Sequence, residues 1–113
     1  MNEKVLNNKE MKELFEAVSM LETAEECKKF LRDLCTIAEL EAMAERFRVV
    51  KAIVDGQSYR QISKKTGAST ATVTRVAYWL KNGLGGYGLI LNRLAVVGTS
   101  EHHTLSSERR RVS

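Results

Sequence analysis

The sequence contains no proline. Nothing in it removes a backbone N–H or drives a ring into the preceding turn, so long helices are open to the whole chain. Alternating, strand-like runs are equally scarce, while Leu, Ala, Glu, Lys and Arg, all good helix formers, are abundant. An all-α fold is therefore expected. Cysteine is rare: Cys27 and Cys35 are the two present. They stand eight apart in helical sequence with no histidine beside them, and a metal site would need more ligands at tighter spacing. Buried free thiols in a reducing cytosol are the expected state. No apolar run is long enough to span a membrane, and no signal peptide opens the chain, so a cytoplasmic location is expected. Histidine is confined to His102 and His103, in a polar C-terminal stretch. No carboxylate pair or nucleophile arrangement appears near the informative stretch at 58–83, which argues against an enzyme and against a metal or other cofactor.

What is there is a chain of 113 residues, the size of one domain. Such a chain buries roughly two thirds of its unfolded surface, enough for one core with little to spare, and dimerisation would add buried area. The formal charge is +4, but its distribution says more. Residues 1–45 are acid-rich, with Glu10, Glu13, Glu16, Glu22, Glu25, Glu26, Asp33, Glu39 and Glu41 among them. Residues 46–81 reverse this: Arg46, Arg48, Lys51, Arg60, Lys64, Lys65, Arg75 and Lys81 face only Asp55. A basic segment of this kind is the footprint of a polyanionic partner, or else a solvated surface with chance clustering.

Periodicity organises the chain into six helices. Residues 1–8 read as a mobile leader. Met11, Leu14, Phe15, Val18 and Leu21 recur at helical spacing. Thr23 with Glu26 makes a capping-box pattern ahead of Cys27, Phe30, Leu31 and Leu34, and Thr36 with Glu39 repeats it ahead of a longer helix. That third helix carries Leu40, Met43, Phe47, Val50, Ile53 and Val54 along one side and ends at Gly56. Ser58 with Gln61 opens a short fourth helix that Gly67 closes, and Ser69 opens a fifth that runs to about residue 82. The four glycines within residues 83–88 predict a flexible joint. Leu89, Ile90, Leu91, Leu94, Val96 and Val97 predict a sixth helix of two to three turns. Residues 98–113, ending near Arg109, Arg110 and Arg111, predict a disordered polar tail beyond a single helical domain at 1–97.

The informative stretch is SYRQISKKTGASTATVTRVAYWLKNG, residues 58–83. Two short helices held at an angle across a tight turn make specific demands. An apolar side chain must point inward from the first helix, and Ile62 does. Ser63 is small where the helices approach. Gly67 tolerates the positive φ of the turn. Val73 and Val76 are spaced to pack the second helix back onto the first. The stretch fits a helix-turn-helix over about 58–82. The second helix opens with Ser69, Thr70, Ala71 and Thr72, short side chains whose hydroxyls can bond phosphate oxygens or base edges. Its N-terminal amides can face a phosphate. Thr74 and Arg75 follow, while Arg60, Lys64 and Lys65 on the first helix would meet flanking backbone. Ser58 at the head of the first helix, and Gly67 and Ala68 in the turn, complete the candidate DNA-binding set. Tyr78 and Trp79 are expected to be packing residues.

GASTATVTR at 67–75 resembles the turn and recognition helix of the tryptophan repressor superfamily. The likeness extends upstream through Glu41-Ala42 and Arg46-x-Arg48-Val49-Val50 to Gly56, and downstream to Leu80-Lys81. Together with the acidic helices and LCT at 34–36, it is similar to the Trp-repressor-related branch (YerC/YecD type), bacterial regulators lacking the effector site. It covers roughly residues 9–97 and is specific around 36–82. The resemblance implies a six-helix Trp-repressor-like fold and an intertwined homodimer, with residues 9–54 and 84–97 in dimerisation. It implies reading heads that address successive major grooves of double-stranded DNA about 34 Å apart. In tryptophan-binding members two arginines, a glycine and a serine shape the amino-acid pocket. Arg46 and Arg75 stand at or near the arginine positions, but Val76 occupies the glycine position and Trp79 the serine position, and one residue is missing between Gly56 and Ile62. The resemblance therefore implies no tryptophan binding, leaving Arg46 and Arg75 for phosphate, another subunit or a different effector. A DNA-binding regulator, most simply a repressor, is the expected function. A small-molecule sensor or a protein-interaction module using the same helix pair is the alternative.

Overall fold

A computed structural model describes the backbone of residues 3–105. Seven helices follow in order: α1 (Glu3–Leu6), α2 (Lys9–Ser19), α3 (Ala24–Leu34), α4 (Ile37–Val54), α5 (Tyr59–Thr66), α6 (Thr70–Asn82) and α7 (Gly86–Leu105), with no strand among the described residues. The fold is all-α, as composition required. Among the described residues no helix is long and apolar enough to cross a membrane.

Local chemistry sets the helix ends. The Asn8 side chain accepts from the Met11 amide at 2.9 Å and so starts α2. Thr23 accepts from the Glu26 amide at 3.1 Å, and the Glu26 carboxylate accepts from the Glu22 amide at 2.9 Å, one residue upstream of the usual capping-box donor. Thr36 and Glu39 close a full capping box at 3.0 and 2.8 Å. At the end of α4, Gly56 adopts φ +87°. Its amide donates to the Ile53 carbonyl at 2.9 Å and the Gln57 amide to the Ala52 carbonyl at 3.2 Å, the paired bonds of a Schellman stop.

Two elements differ from the sequence expectation. Residues 1–8 are not wholly a leader, since α1 occupies Glu3–Leu6 and Asn8 caps α2. The last helix takes in Gly86 and Gly88, so the glycine joint shrinks to residues 83–85, and it continues past Val97 to Leu105. Helix propagation adds one bond per residue once a first turn has formed, so a helix through 89–97 can extend past both ends of its apolar run. Of the tail expected at 98–113, residues 106–113 lie outside the described residues, with Arg109, Arg110 and Arg111 among them.

Contacts gather the chain into two units, residues 1–41 and 42–113. In the first, α2 and α3 hold no buried residue. Met11, Leu14, Leu21, Phe30 and Leu31 are half-buried, while Phe15, Val18, Met20 and Leu34 are exposed. Cys27 and Cys35 are free and half-buried rather than buried. In the second unit Val49, Val50, Ala52, Ile62, Ala68, Val73 and Val76 form the core, and Ile53, Leu80, Tyr87 and Leu91 pack against it. Ile62, Val49, Val50 and Val73 are fully buried, each stabilising the fold by about 1.5–3 kcal/mol relative to exposure. The stripe foreseen on α4 is rotated at its end. Val49 and Ala52 are buried, whereas Val54, expected inside, is exposed. Successive helical residues point about 100° apart, so burial of both Val49 and Val50 means this end of α4 is covered over a wide arc.

Candidate nucleic-acid interface

The candidate site is built on α5, the turn after it and α6. Ser58 caps α5 through a reciprocal box: its hydroxyl accepts from the Gln61 amide at 3.1 Å, and the Gln61 side chain accepts from the Ser58 amide at 2.9 Å. Ile62 points inward at 0% exposure, as the helix-turn-helix pattern demanded. Gly67 ends α5 in the left-handed region at φ +83°, its amide bonded to the Ser63 carbonyl at 2.9 Å. A Cβ there would meet nothing within 4 Å, so the requirement for glycine is one of backbone conformation rather than space. Ser69 then caps α6, accepting from the Thr72 amide at 3.0 Å and donating to the Thr72 hydroxyl at 3.1 Å. Val73 and Val76 are buried and hold α6 against the core.

This frame sorts the predicted site residues. On α5, Arg60, Lys64 and Lys65 are exposed. On α6, Ser69, Thr70, Ala71, Thr74 and Arg75 are exposed and Thr72 is half-buried. Ala71, Thr74, Arg75 and Tyr78, three and four residues apart, share the face opposite Val73 and Val76. Ser58 and Gly67 are exposed at the two ends of α5. Ala68 does not belong with them: at 3% exposure it is a core residue, and its side chain cannot form part of an outer face. Arg46 is exposed on α4, and no polar contact joins it to Arg75 among the described residues.

The charge of this surface is of one sign. Residues 56–82 contain Arg60, Lys64, Lys65, Arg75 and Lys81 and no Asp or Glu. Among the described residues none of these cations is held in an ion pair. A cationic surface without local counter-charge attracts polyanions over about a Debye length, ~8–10 Å at physiological salt. The first amides of α6, at Thr70 and Ala71, have no intrahelical acceptor and add partial positive charge at the same end. Elsewhere on α4, Lys51 lies over the Phe47 ring at 5.1 Å.

Two features escaped the sequence reading. Tyr78 and Trp79, expected to be packing residues, are 55% and 41% exposed and meet each other edge-to-face at 5.1 Å. Thr66 is the second. Its hydroxyl donates to the Ile62 carbonyl at 2.8 Å and accepts from the Ala68 amide at 3.1 Å, while the Ser63 hydroxyl donates to the Ala68 carbonyl. The smallness of Ser63 was legible, but its bond across the turn was not. A hydroxyl two residues before a buried turn amide would have been the signal.

No group of three or more His, Cys, Asp or Glu capable of holding a metal ion occurs among the described residues. The sequence model for the Trp repressor protein family matches residues 9–95. YerC of Bacillus subtilis (strain 168), an uncharacterized protein, is 40% identical over 89 residues, which is 79% of this chain and 86% of YerC. Two crystal structures are similar in fold and sequence. A TrpR-like protein from Eubacterium eligens ATCC 27750 is 38% identical with a TM-score of 0.78, covering 83% of this chain and 96% of its own. A candidate Trp repressor from Staphylococcus aureus is 40% identical with the same TM-score of 0.78, covering 84% of this chain and 95% of its own. The family match spans every element that builds the α5–α6 surface, and on that basis the chain belongs to the Trp repressor family, a family of DNA-binding regulators rather than enzymes.

Proposed function

We propose that this protein is a sequence-specific transcriptional repressor that reads the major groove of duplex DNA as a homodimer and needs no tryptophan to do so. The observation that carries the reading is the α6 surface. Its first turns present hydroxyls and Arg75 outward, on a helix anchored by Val73 and Val76, beside the exposed cations of α5 and with no acid in the segment.

Affinity comes mainly from phosphate. Arg60, Lys64 and Lys65 displace condensed counterions, and the amide end of α6 receives a phosphate oxygen. Sequence preference comes from Thr70, Thr72, Thr74 and Arg75 at base edges, where hydroxyls bond several acceptors and Arg75 suits guanine O6 and N7. The pattern of burial supports the dimer. Helices α2 and α3 bury no side chain fully and expose Phe15, Val18, Met20 and Leu34; a second copy of the chain covers such faces. Two reading heads then meet successive major grooves about 34 Å apart. Independence from tryptophan rests on Val76, which is 2% exposed and already fills its place in the core, and on the bulk of Trp79 beside it on α6.

The test begins by selecting a preferred duplex from a random pool and comparing it with a scrambled duplex across a salt series. Thr72→Ala should lose about 1–3 kcal/mol on the preferred duplex and little on the scrambled one. Lys64→Ala should weaken both alike and reduce the salt slope by about 1. No salt-dependent retention of any duplex by the wild-type protein would overturn the function outright.

A further inference from the structure

We infer that Ser63 and Thr66 are positioning residues that set the direction of the reading helix, acting through the buried Ala68 rather than by touching DNA. This rests on the DNA-reading function of α6 proposed above. Between Thr66 and Thr70 the chain has three residues in which to change direction, Gly67, Ala68 and Ser69. One backbone bond, from the Gly67 amide to the Ser63 carbonyl, closes α5. The next peptide groups are held by side chains. The Ala68 amide is taken by the Thr66 hydroxyl at 3.1 Å, and the Ala68 carbonyl by the Ser63 hydroxyl. Ala68 is 3% exposed, so its side chain is fixed in the core while its backbone polar groups are satisfied by hydroxyls from α5.

The Thr66 hydroxyl is used twice. It also donates to the Ile62 carbonyl at 2.8 Å, which ties its rotamer to the last turn of α5 and to the fully buried Ile62. Ala68 immediately precedes Ser69, the cap that starts α6. A rotation of the Ala68 peptide planes therefore swings all of α6, and with it Thr72 and Arg75. Two hydroxyls on α5 thus fix the joint on which the reading surface turns. Preorganisation of this kind adds to specific binding, which needs one geometry, and adds little to non-specific binding, which rests on charge.

The experiment compares Thr66→Val, which keeps the shape and removes the hydroxyl, with Thr66→Ser, which keeps the hydroxyl, and with Ser63→Ala. Each full-length variant is measured by NMR residual dipolar couplings for the α5 and α6 amides, by hydrogen exchange at the Ala68 amide, and by affinity for preferred and scrambled duplexes. Thr66→Val and Ser63→Ala should change the α6 couplings relative to those of α5, speed Ala68 exchange, and lower preferred-duplex affinity about tenfold. Scrambled-duplex affinity and salt slope should stay put, and Thr66→Ser should restore the wild-type values. Should Thr66→Val fail to fold, Ser63→Ala and Thr66→Ser carry the comparison. Unchanged couplings in a folded hydroxyl-free variant, or an equal loss on both duplexes, would overturn the positioning role. Altered couplings in a protein that retains no duplex would instead uphold the joint and sink the DNA-reading function.

Discussion

Replacing Gly67 with alanine isolates the backbone requirement of the turn. Gly67 sits at φ +83°, and a Cβ built there meets no atom within 4 Å. Steric clash with the rest of the fold therefore contributes nothing, and the cost is that of holding an L-residue in the left-handed region, about 1–2 kcal/mol. Alanine also restricts the unfolded chain, which returns about 0.4–1 kcal/mol. The net loss is then close to 1 kcal/mol, a fall in melting temperature of about 4–8 °C for a domain near this size. Asparagine tolerates the same backbone region better, so Gly67→Asn should fall between wild type and Gly67→Ala. The assay is urea and thermal unfolding followed by far-UV circular dichroism, with all three proteins at one concentration. Gly67→Ala as stable as wild type, or a loss above about 3 kcal/mol shared equally by both variants, would refute the reasoning, since the first removes the conformational demand and the second requires a clash.

Two further outcomes follow from burial. Because Val76 is 2% exposed in the core, millimolar tryptophan should leave the melting temperature unchanged; a ligand at a hundredfold its Kd would add about 2.7 kcal/mol, so an upward shift of several degrees would contradict the proposed independence. Because α2 and α3 bury no side chain fully, melting temperature should rise with protein concentration if the proposed dimer assembles; a constant value from nanomolar to hundred-micromolar protein, with a monomer by sedimentation, would contradict the homodimer.

What the sequence showed of this fold was what short-range chemistry decides. Ser58, Ser69 and Thr36 were legible as caps because the acceptor and the amide it serves lie three residues apart. Gly56 and Gly67 were legible as stops because few other residues reach a positive φ. Ile62, Val73 and Val76 were legible as core because their spacing places them on facing sides of two helices. The misreadings share the opposite cause. Whether Val49 or Val54 is inside depends on which arc of α4 is covered by elements distant in sequence. Ala68 was placed with the DNA-binding residues of the turn because nothing local marks a turn alanine as buried. Thr66 drew no reading from the sequence, because its task depends on the buried Ala68 whose amide it accepts from. The extra length of α7 had no proline to announce an end, and Gly98 is not by itself enough to stop a helix already propagating.

The division of charge along the chain gives the two units different work. Residues 1–45 carry most of the acids, whereas residues 56–82 carry none. An acid-rich surface is repelled by phosphate, so the first unit is poorly suited to duplex DNA and suited to a protein surface that covers Phe15, Val18 and Met20. The second unit holds the buried core and the uncompensated cations of α5 and α6. Isolated helices as short as α2 and α3, eleven residues each, are marginal in water, so an association that covered them, as proposed, would also make them persist. On the homodimer reading, the same event that completes the fold of the acidic unit sets the distance between the two basic reading heads. Substitutions on α2 and α3 should then change DNA affinity only through assembly, while those on the outward face of α6 should change which sequence is preferred and leave assembly intact.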